Sequence, residues 1–571
     1  MGLTRRTFIK SGMTLAAWAT YGVLPFKWLD RSSVAAQPIT TLTRTVVAVP
    51  VPQASPKIAA TELSKYAQYG YGVWKFGAGL EAEKRLDLMP AGYTGVSVSK
   101  AALLSRFFTI SDLHVTDKES PAQVIFWGLK AAISSAYSPV MLSTTHVLDA
   151  AVRTINALHK EEPLDFGISL GDTCNCTQYN ELRWYLDILD GKTITPSSGA
   201  HAGADTIDYQ KPYQAAGLDK SIPWYQAMGN HDHFWIGSAP VDDHLRQAFI
   251  GEEILNLGDI FKDGMDSRGF YMGTIDGNTP YGDVIDAGPA GDFPTPPKVV
   301  ADPNRRSLTR QEWIGEFFNT TSNPAGHGFS KANLAKGTTF YSFEPKADLP
   351  LKVIVLDDTP SEEEGKMVNG VVMSGRGTVD KARWEWLVGE LDKGQAEGKL
   401  MIVAAHVPIG VEKPGSFMCW SPSAYVTEAE LFAKLHEYPN LLMWLAGHRH
   451  FNVVTAYPSP DSSRPELGFW HVETASLRDF PQQFRTFEIA RMSDDTVSIF
   501  TTNVSPEVED GSPAAKSRSY SIAALQLIAN PAISSNPGFL LPTGSYNAEL
   551  VVQLTPEMRE KMKRYGTPVR A

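Results

Sequence analysis

From Arg106 onward, short apolar runs recur along the chain, and each stops abruptly at a small polar cluster. The run at 107–110 stops at Ser-Asp-Leu-His, 164–170 at Gly171-Asp172, and 224–228 at Gly-Asn-His-Asp. Farther on, 352–356 stops at Asp357-Asp358, 400–404 leads into Ala405-His406, and 441–445 leads into Gly447-His448-Arg449-His450. Continuous apolar runs of this length, rich in β-branched residues, predict buried strands. Between them the period changes. Val147, Leu148, Ala151, Val152, Ile155 and Leu158 recur at helical spacing and predict a helix over about 145–159. Trp384, Leu387 and Leu391 mark another over 380–392. Strands alternating with helices predict an α/β fold, in which the loops at the C-terminal ends of the strands collect the active site.

The flanks carry weaker patterns. Residues 37–104 show one short helical run at 59–66 and read as an N-terminal extension. The alternating region spans 105–504 and is interrupted by polar stretches near 190–220 and 255–340, which are expected to rim the site. Segments 486–489 and 496–501 predict further strands, and 505–571 reads as a C-terminal extension with one short helix near 522–529. At 571 residues and 43% hydrophobic, the chain can bury one large core or several. A net charge of −11 argues against broad nucleic-acid binding. No uninterrupted apolar tract is long enough for a membrane-spanning helix.

Two further features bear on chemistry. Arg5-Arg6 with Phe8, a weakly apolar stretch over 13–26, and Val34 and Ala36 ahead of Gln37 resemble a twin-arginine export signal over 1–36. That resemblance implies the twin-arginine export machinery as a partner and a periplasmic or extracellular destination, with membrane anchoring if the signal is retained. The three cysteines include no CxxC pair, which excludes a zinc ribbon or thioredoxin motif. Cys174 and Cys176 read as bystanders in the loop after Asp172, and Cys419 is open as a disulfide partner for either.

In order, the loops read D-x-H at Asp112 and His114, G-D-x-x-N at Gly171 to Asn175, and G-N-H-D at Gly229 to Asp232. They continue with A-H-x-P at His406 and G-H-x-H at His448 and His450. Five of the thirteen histidines lie in these loops, which makes chance turns a poor account of the set. This ordered set, over about 105–490, resembles the calcineurin-like metallophosphoesterase superfamily. The resemblance implies a four-layer α/β sandwich, two mixed β-sheets flanked by helices, with long loop insertions. It implies two divalent metal ions, manganese, iron or zinc, since imidazole and carboxylate ligands suit those better than calcium or magnesium. Asp112, His114 and His450 would hold one ion and Asn230, His406 and His448 the other, with Asp172 bridging. His231 would contact the substrate phosphate or protonate the leaving oxygen. The implied reaction is hydrolysis of a small phosphomonoester or phosphodiester by a metal-bound hydroxide.

The pattern also departs from known branches. Protein serine/threonine phosphatases carry Asp-Arg-Gly where this chain has Asn175, Cys176 and Thr177, so a phosphate-gripping arginine is missing there. Purple acid phosphatases carry a tyrosine where Asn175 stands. Asn175 itself admits two readings, a hydrogen bond behind a ligand or simple loop closure. A nucleotidase or phospholipid diesterase is an alternative subclass, and a binding module without turnover is an alternative class. Arg305, Arg306 and Arg310 read as an exposed charge cluster, His233 as a packing or surface residue, and His146 and His471 as structural.

Overall fold

The strands expected to be buried are buried on both faces. Leu351–Val355 (LKVIV), Leu400–Ala404 (LMIVA) and Leu441–Ala446 (LLMWLA) are buried at every position, as parallel strands covered on both sides must be. The computed structural model describes residues 40–56, 58–126, 137–256, 269–362, 375–410, 420–421, 424–528 and 546–569. The expected export signal, Cys419 and the disulfide considered for it lie outside these residues. The residues from Pro38 onward form one compact unit.

Two mixed sheets hold most of the strands. In chain order these are β1 (Glu83–Arg85), β2 (Lys100–Ile110), β3 (Phe166–Ser169), β4 (Trp224–Gln226), β5 (Tyr341–Phe343), β6 (Leu351–Val355), β7 (Leu400–Ala404), β8 (Leu441–Ala446), β9 (Val453–Tyr457), β10 (Phe469–Glu473), β11 (Phe484–Met492), β12 (Val497–Val504) and β13 (Ala548–Val552). The first sheet runs β1-β13-β12-β11-β2-β3-β4, with Thr567–Pro568 paired onto β2. The second runs β5-β6-β7-β8-β10-β9. Within them β2, β3 and β4 are parallel, and so are β6, β7, β8 and β10. Their C-terminal ends therefore deliver the loops that carry the polar clusters.

The sheets share one core. Phe107 of β2 stacks on Phe166 of β3 and on Phe487 of β11, each at 4.7 Å between ring centroids. Phe166 and Tyr225 in turn meet Phe343 of the second sheet, at 5.7 and 3.4 Å. On the other face of the first sheet, Trp224 meets Tyr185 of a helix over Tyr179–Leu189, edge to face. The helix over Thr144–Glu161 adds Val147, Leu148, Ala151, Val152 and Ile155 to this core. The outer face of the second sheet, Ile354, Met401, Val403 and Trp444, packs on Leu387 and Leu391 of Lys381–Ala396 and on Leu431 and Leu435 of Glu428–Leu435. Asp380 caps the first of these two helices by accepting the Arg383 N–H at 2.8 Å. Among the described residues no helix is long and apolar enough to cross a membrane.

Four details differ from the sequence expectation. The first central strand begins at Lys100 instead of near 106. The C-terminal region contributes a longer helix, Pro513–Ile528, and the strand β13, which sits inside the first sheet between β1 and β12. The run at 59–66 is a single turn at Leu63–Lys65 followed by a short helix, Tyr66–Tyr69. The expected arginine cluster is not a cluster and is mostly not exposed. Arg305 is buried because it finds three acceptors, Asp117 Oδ2 at 3.1 Å, Ser198 Oγ at 2.9 Å and the Val300 carbonyl at 2.8 Å. Arg310 pairs with Asp357 at 2.6 Å and Glu362 at 2.8 Å. Only Arg306 is exposed, its guanidinium 3.6 Å from the Tyr179 ring.

Candidate metal centre

The end of β2 delivers Asp112 and His114, β3 delivers Asp172 and Asn175, and β4 delivers Asn230 and His231. From the second sheet β7 delivers His406, and β8 delivers His448 and His450. Backbone bonds lash these loops together: Asp112 N to Gly171 O at 3.1 Å, His114 N to Asp172 O at 3.0 Å, and Gly447 N to His406 O at 2.9 Å. Asp112, His114, Asp172, His448 and His450 all have positive φ, between 45° and 68°. That conformation costs roughly 1–3 kcal/mol at a residue other than glycine, and it concentrates at functional sites. The glycines in the loops have a steric reason. A Cβ at Gly229 would lie 2.2 Å from Asp172 Oδ1, and one at Gly447 would lie 1.9 Å from Ser111 Oγ and 2.6 Å from Asp112 Oδ2.

All eight site residues named from the sequence converge. Asp112 Oδ1 faces His450 Nε2 at 3.3 Å and His114 Nε2 at 3.9 Å, and those two nitrogens lie 3.1 Å apart. A point equidistant from these three atoms is about 2.0 Å from each, the length of a transition-metal bond to imidazole or carboxylate. Asp172 Oδ2 faces His406 Nε2 at 3.3 Å and His114 Nε2 at 3.7 Å. His406 Nε2 also lies 2.9 Å from Asn230 Oδ1 and 3.2 Å from His448 Nδ1. Three overlapping groups could each hold a cation: Asp112 with His114 and His450, Asp172 with His406 and His448, and Asp172 with His114 and His231. Asp172 belongs to two of them. Asp112 Oδ1 is buried and accepts no hydrogen bond among the described residues, as a ligand atom aimed at a cation would. The donor set therefore fits divalent transition ions.

The electrostatics follow the same division. Burial opposes an imidazolium at His406 and His450, but Asp172 and Asp112 respectively override it and each ring is pushed up to about 10. Burial and then the neighbouring His406 hold His448 down at about 3, and burial and His231 hold His114 well below the usual imidazole range. Burial opposes ionisation of Asp112 and Asp172, yet the facing imidazoles keep both below the ordinary carboxylate range. Each close imidazole pair thus sets a ring whose protonation a facing carboxylate favours beside one whose protonation burial disfavours. Cation binding at such a site releases protons.

No protein-family model matches the chain, and no curated protein matches it. Among solved structures, a dimetal phosphatase from Danio rerio matches over 71% of this chain and 100% of its own length. The two are 12% identical, with a TM-score of 0.35.

His231 is held at three points. Its backbone N–H donates to Asp172 Oδ1 at 2.8 Å, its Nδ1 lies 2.7 Å from the Asn175 carbonyl, and its ring meets His114 edge to face. A carbonyl only accepts, so Nδ1 carries the proton and Nε2 is left for other chemistry. The Asn175 side chain donates to Gln123 Oε1 at 3.1 Å and accepts from Arg478. Asn175 therefore closes the loop and also stands behind His231.

Several residues around the centre were given no role from the sequence. Asp232 accepts from four backbone N–H groups, those of Asp172, Thr173, Cys174 and Gly229, at 2.9–3.2 Å. Asp358 accepts from the N–H groups of His406 and Val407, both at 3.1 Å. Asp479 Oδ2 sits 2.5 Å from His450 Nδ1. The Asp that closes Gly-Asn-His-Asp and the doubled Asp357-Asp358 were a usable signal for the first two, whereas nothing in the sequence marks Asp479. His233 is buried, bonded to Thr359 Oγ1 at 3.0 Å and facing Glu362. Cys174 and Cys176 are buried free thiols, and burial pushes both well above the ordinary thiol range. Neither belongs to a candidate metal group. The two insertions buttress these loops: Arg305 and Ser198 bind Asp117, three residues beyond His114, and Arg310 binds His233.

Proposed function

We propose that the protein is a dinuclear-metal phosphoesterase hydrolysing small phosphate monoesters or diesters. The observation that carries this reading is the Asp112–His114–His450 group beside the Asp172–His406–His448 group, with Asp172 Oδ2 facing both His406 Nε2 at 3.3 Å and His114 Nε2 at 3.7 Å, on strand ends of two sheets that share one core. Helices packed against both sheets support reading this as a four-layer arrangement. Asp112, His114 and His450 would hold one cation, Asn230, His406 and His448 the other, and Asp172 both. Such a pair neutralises the anionic oxygens of a phosphate ester and makes water acidic enough to serve as a nucleophile at neutral pH. Asn230 is an uncharged donor anchored through its Nδ2 on the Gly237 carbonyl at 2.9 Å, so its half of the centre carries less negative charge.

His231 supplies the proton chemistry of the chain itself. With Nδ1–H fixed on the Asn175 carbonyl, its Nε2 receives or donates the proton at a phosphoryl or leaving oxygen. Removing such a donor typically lowers the rate by about 10²–10³-fold. We further infer that residues 1–36 direct export by the twin-arginine route, on the strength of Arg5-Arg6 and the apolar stretch behind them. Replacing both arginines by lysine and locating the product tests that point. The catalytic reading is tested by assaying metal-loaded protein on p-nitrophenyl phosphate, its bis ester, and panels of nucleotides and phospholipid headgroups. Hydrolysis of at least one, lost in Asp172→Asn, is expected. A metal-loaded protein inert towards all of them contradicts the reading.

A further inference from the structure

The two halves of the centre differ in what stands behind their imidazoles. His406 Nδ1 lies 2.8 Å from the Leu170 carbonyl, and His231 Nδ1 2.7 Å from the Asn175 carbonyl, so both rest on neutral acceptors. His450 Nδ1 instead meets a carboxylate, Asp479 Oδ2, at 2.5 Å. Asp479 is held in place by its own backbone, whose N–H donates to Ser476 Oγ at 3.1 Å, while Ser476 Oγ donates to the Asp112 carbonyl at 2.7 Å. The loop after β10 therefore touches both the His450 ring and the Asp112 backbone. A carboxylate behind an imidazole fixes the proton on Nδ1, turns the Nε2 lone pair towards the ligand position and makes that nitrogen more basic.

We propose that Asp479 is a positioning residue that makes the Asp112–His114–His450 half the tighter of two unequal cation sites. This rests on the metal reading above and adds an order of loading to it. Counted by charge, one half draws on Asp112, the shared Asp172 and, through His450, Asp479. The other draws on Asp172, since Asn230 is neutral and Asp358 meets only the His406 backbone N–H, at 3.1 Å, and not its ring. Hard divalent cations favour the half with more carboxylate, so the first ion enters beside Asp112 and the second beside His406.

The test is calorimetric titration of metal-stripped full-length protein with Mn²⁺, with electron paramagnetic resonance following free Mn²⁺. Two classes of site are expected, the tighter removed by His450→Ala and the weaker by His448→Ala. Asp479→Asn keeps the side-chain shape and removes the charge; it is expected to weaken the tighter class by about 10–100-fold and leave the weaker unchanged. Asp479→Glu restores a carboxylate and is expected to recover part of that loss. If Asp479→Asn moves neither class, or both equally while the circular dichroism spectrum is unchanged, the proposal is overturned and the metal reading stands. If the unmodified protein binds no Mn²⁺, Zn²⁺ or Fe²⁺ at all, both fall together.

Discussion

Replacing Asp232 by asparagine changes one atom and tests how the metal-bearing loops are held. Asp232 Oδ1 accepts the N–H groups of Thr173 and Cys174 at 2.9 and 3.2 Å and the Thr173 hydroxyl at 2.5 Å. Its Oδ2 accepts the N–H groups of Asp172 and Gly229 at 3.0 and 2.9 Å. An asparagine can place an oxygen at only one of these positions. The amide NH₂ at the other faces at least two buried N–H donors and leaves them without an acceptor. Each unsatisfied buried group costs about 1–3 kcal/mol, so Asp232→Asn should lose about 2–6 kcal/mol. The damage falls on Asp172 and Gly229, or on Thr173 and Cys174, within the loop that presents the candidate bridging carboxylate. Urea unfolding followed by circular dichroism measures the stability loss, and elemental analysis below the transition measures metal retention. A variant with an unfolding midpoint and metal content equal to the parent's would refute this account of the loop.

Three other expectations address the frame around the centre. Arg310→Ala removes the stronger of the two cations that hold the Asp357 carboxylate well below the usual range against burial, leaving Arg383 at 3.6 Å; losing one charged hydrogen-bond partner of a buried carboxylate costs about 1.5–3 kcal/mol, readable by denaturant unfolding. Glu181 accepts the N–H groups of Asp117, Asn175 and Cys176 at 2.8–3.1 Å, yet burial pushes it up to about 8 from 4.5. Because its folded value is raised, its contribution is complete below the unfolded value and declines as pH rises from about 4.5 to 8, by at most about 1.4 kcal/mol per unit. Glu181→Gln should flatten stability against pH across that window; a slope unchanged from the parent's counts against the assignment. Cys174 and Cys176 should resist iodoacetamide in the folded protein and react after unfolding, as buried protonated thiols do, and rapid labelling of either one in the native chain, located by peptide mapping, would contradict their placement.

Much of the site was legible because parallel strands covered on both faces become unbroken apolar runs, so each strand end announces the loop that follows. The segments LKVIV, apolar but for the buried Lys352, and LMIVA mark their boundaries almost to the residue, and Asp358 and His406, which follow them, stand at or directly behind the centre. What escaped depends on partners distant in the chain. Asp479 is 29 residues from His450 and belongs to no recurring pattern. Arg305, in a stretch rich in Gly, Pro and Asp, looked like a surface charge, because its partner Asp117 is 188 positions away. Strand β13 is only AELVV, too short to stand out beside a Pro-rich stretch, and its place in the sheet is set by pairing with β12 and β1. The early start of β2 was hidden because Lys-Ala-Ala-Leu-Leu has as much helical as strand character.

The central claim, that these loops form a two-cation centre bridged by Asp172, is tested most directly by elemental analysis of the purified full-length chain. The account predicts about two equivalents of manganese, iron or zinc per chain, removable by a chelator and restored on re-addition, with the content clearly reduced in Asp172→Asn. A folded protein that carries only trace metal after reconstitution, or an Asp172→Asn variant that retains the full complement, would contradict it.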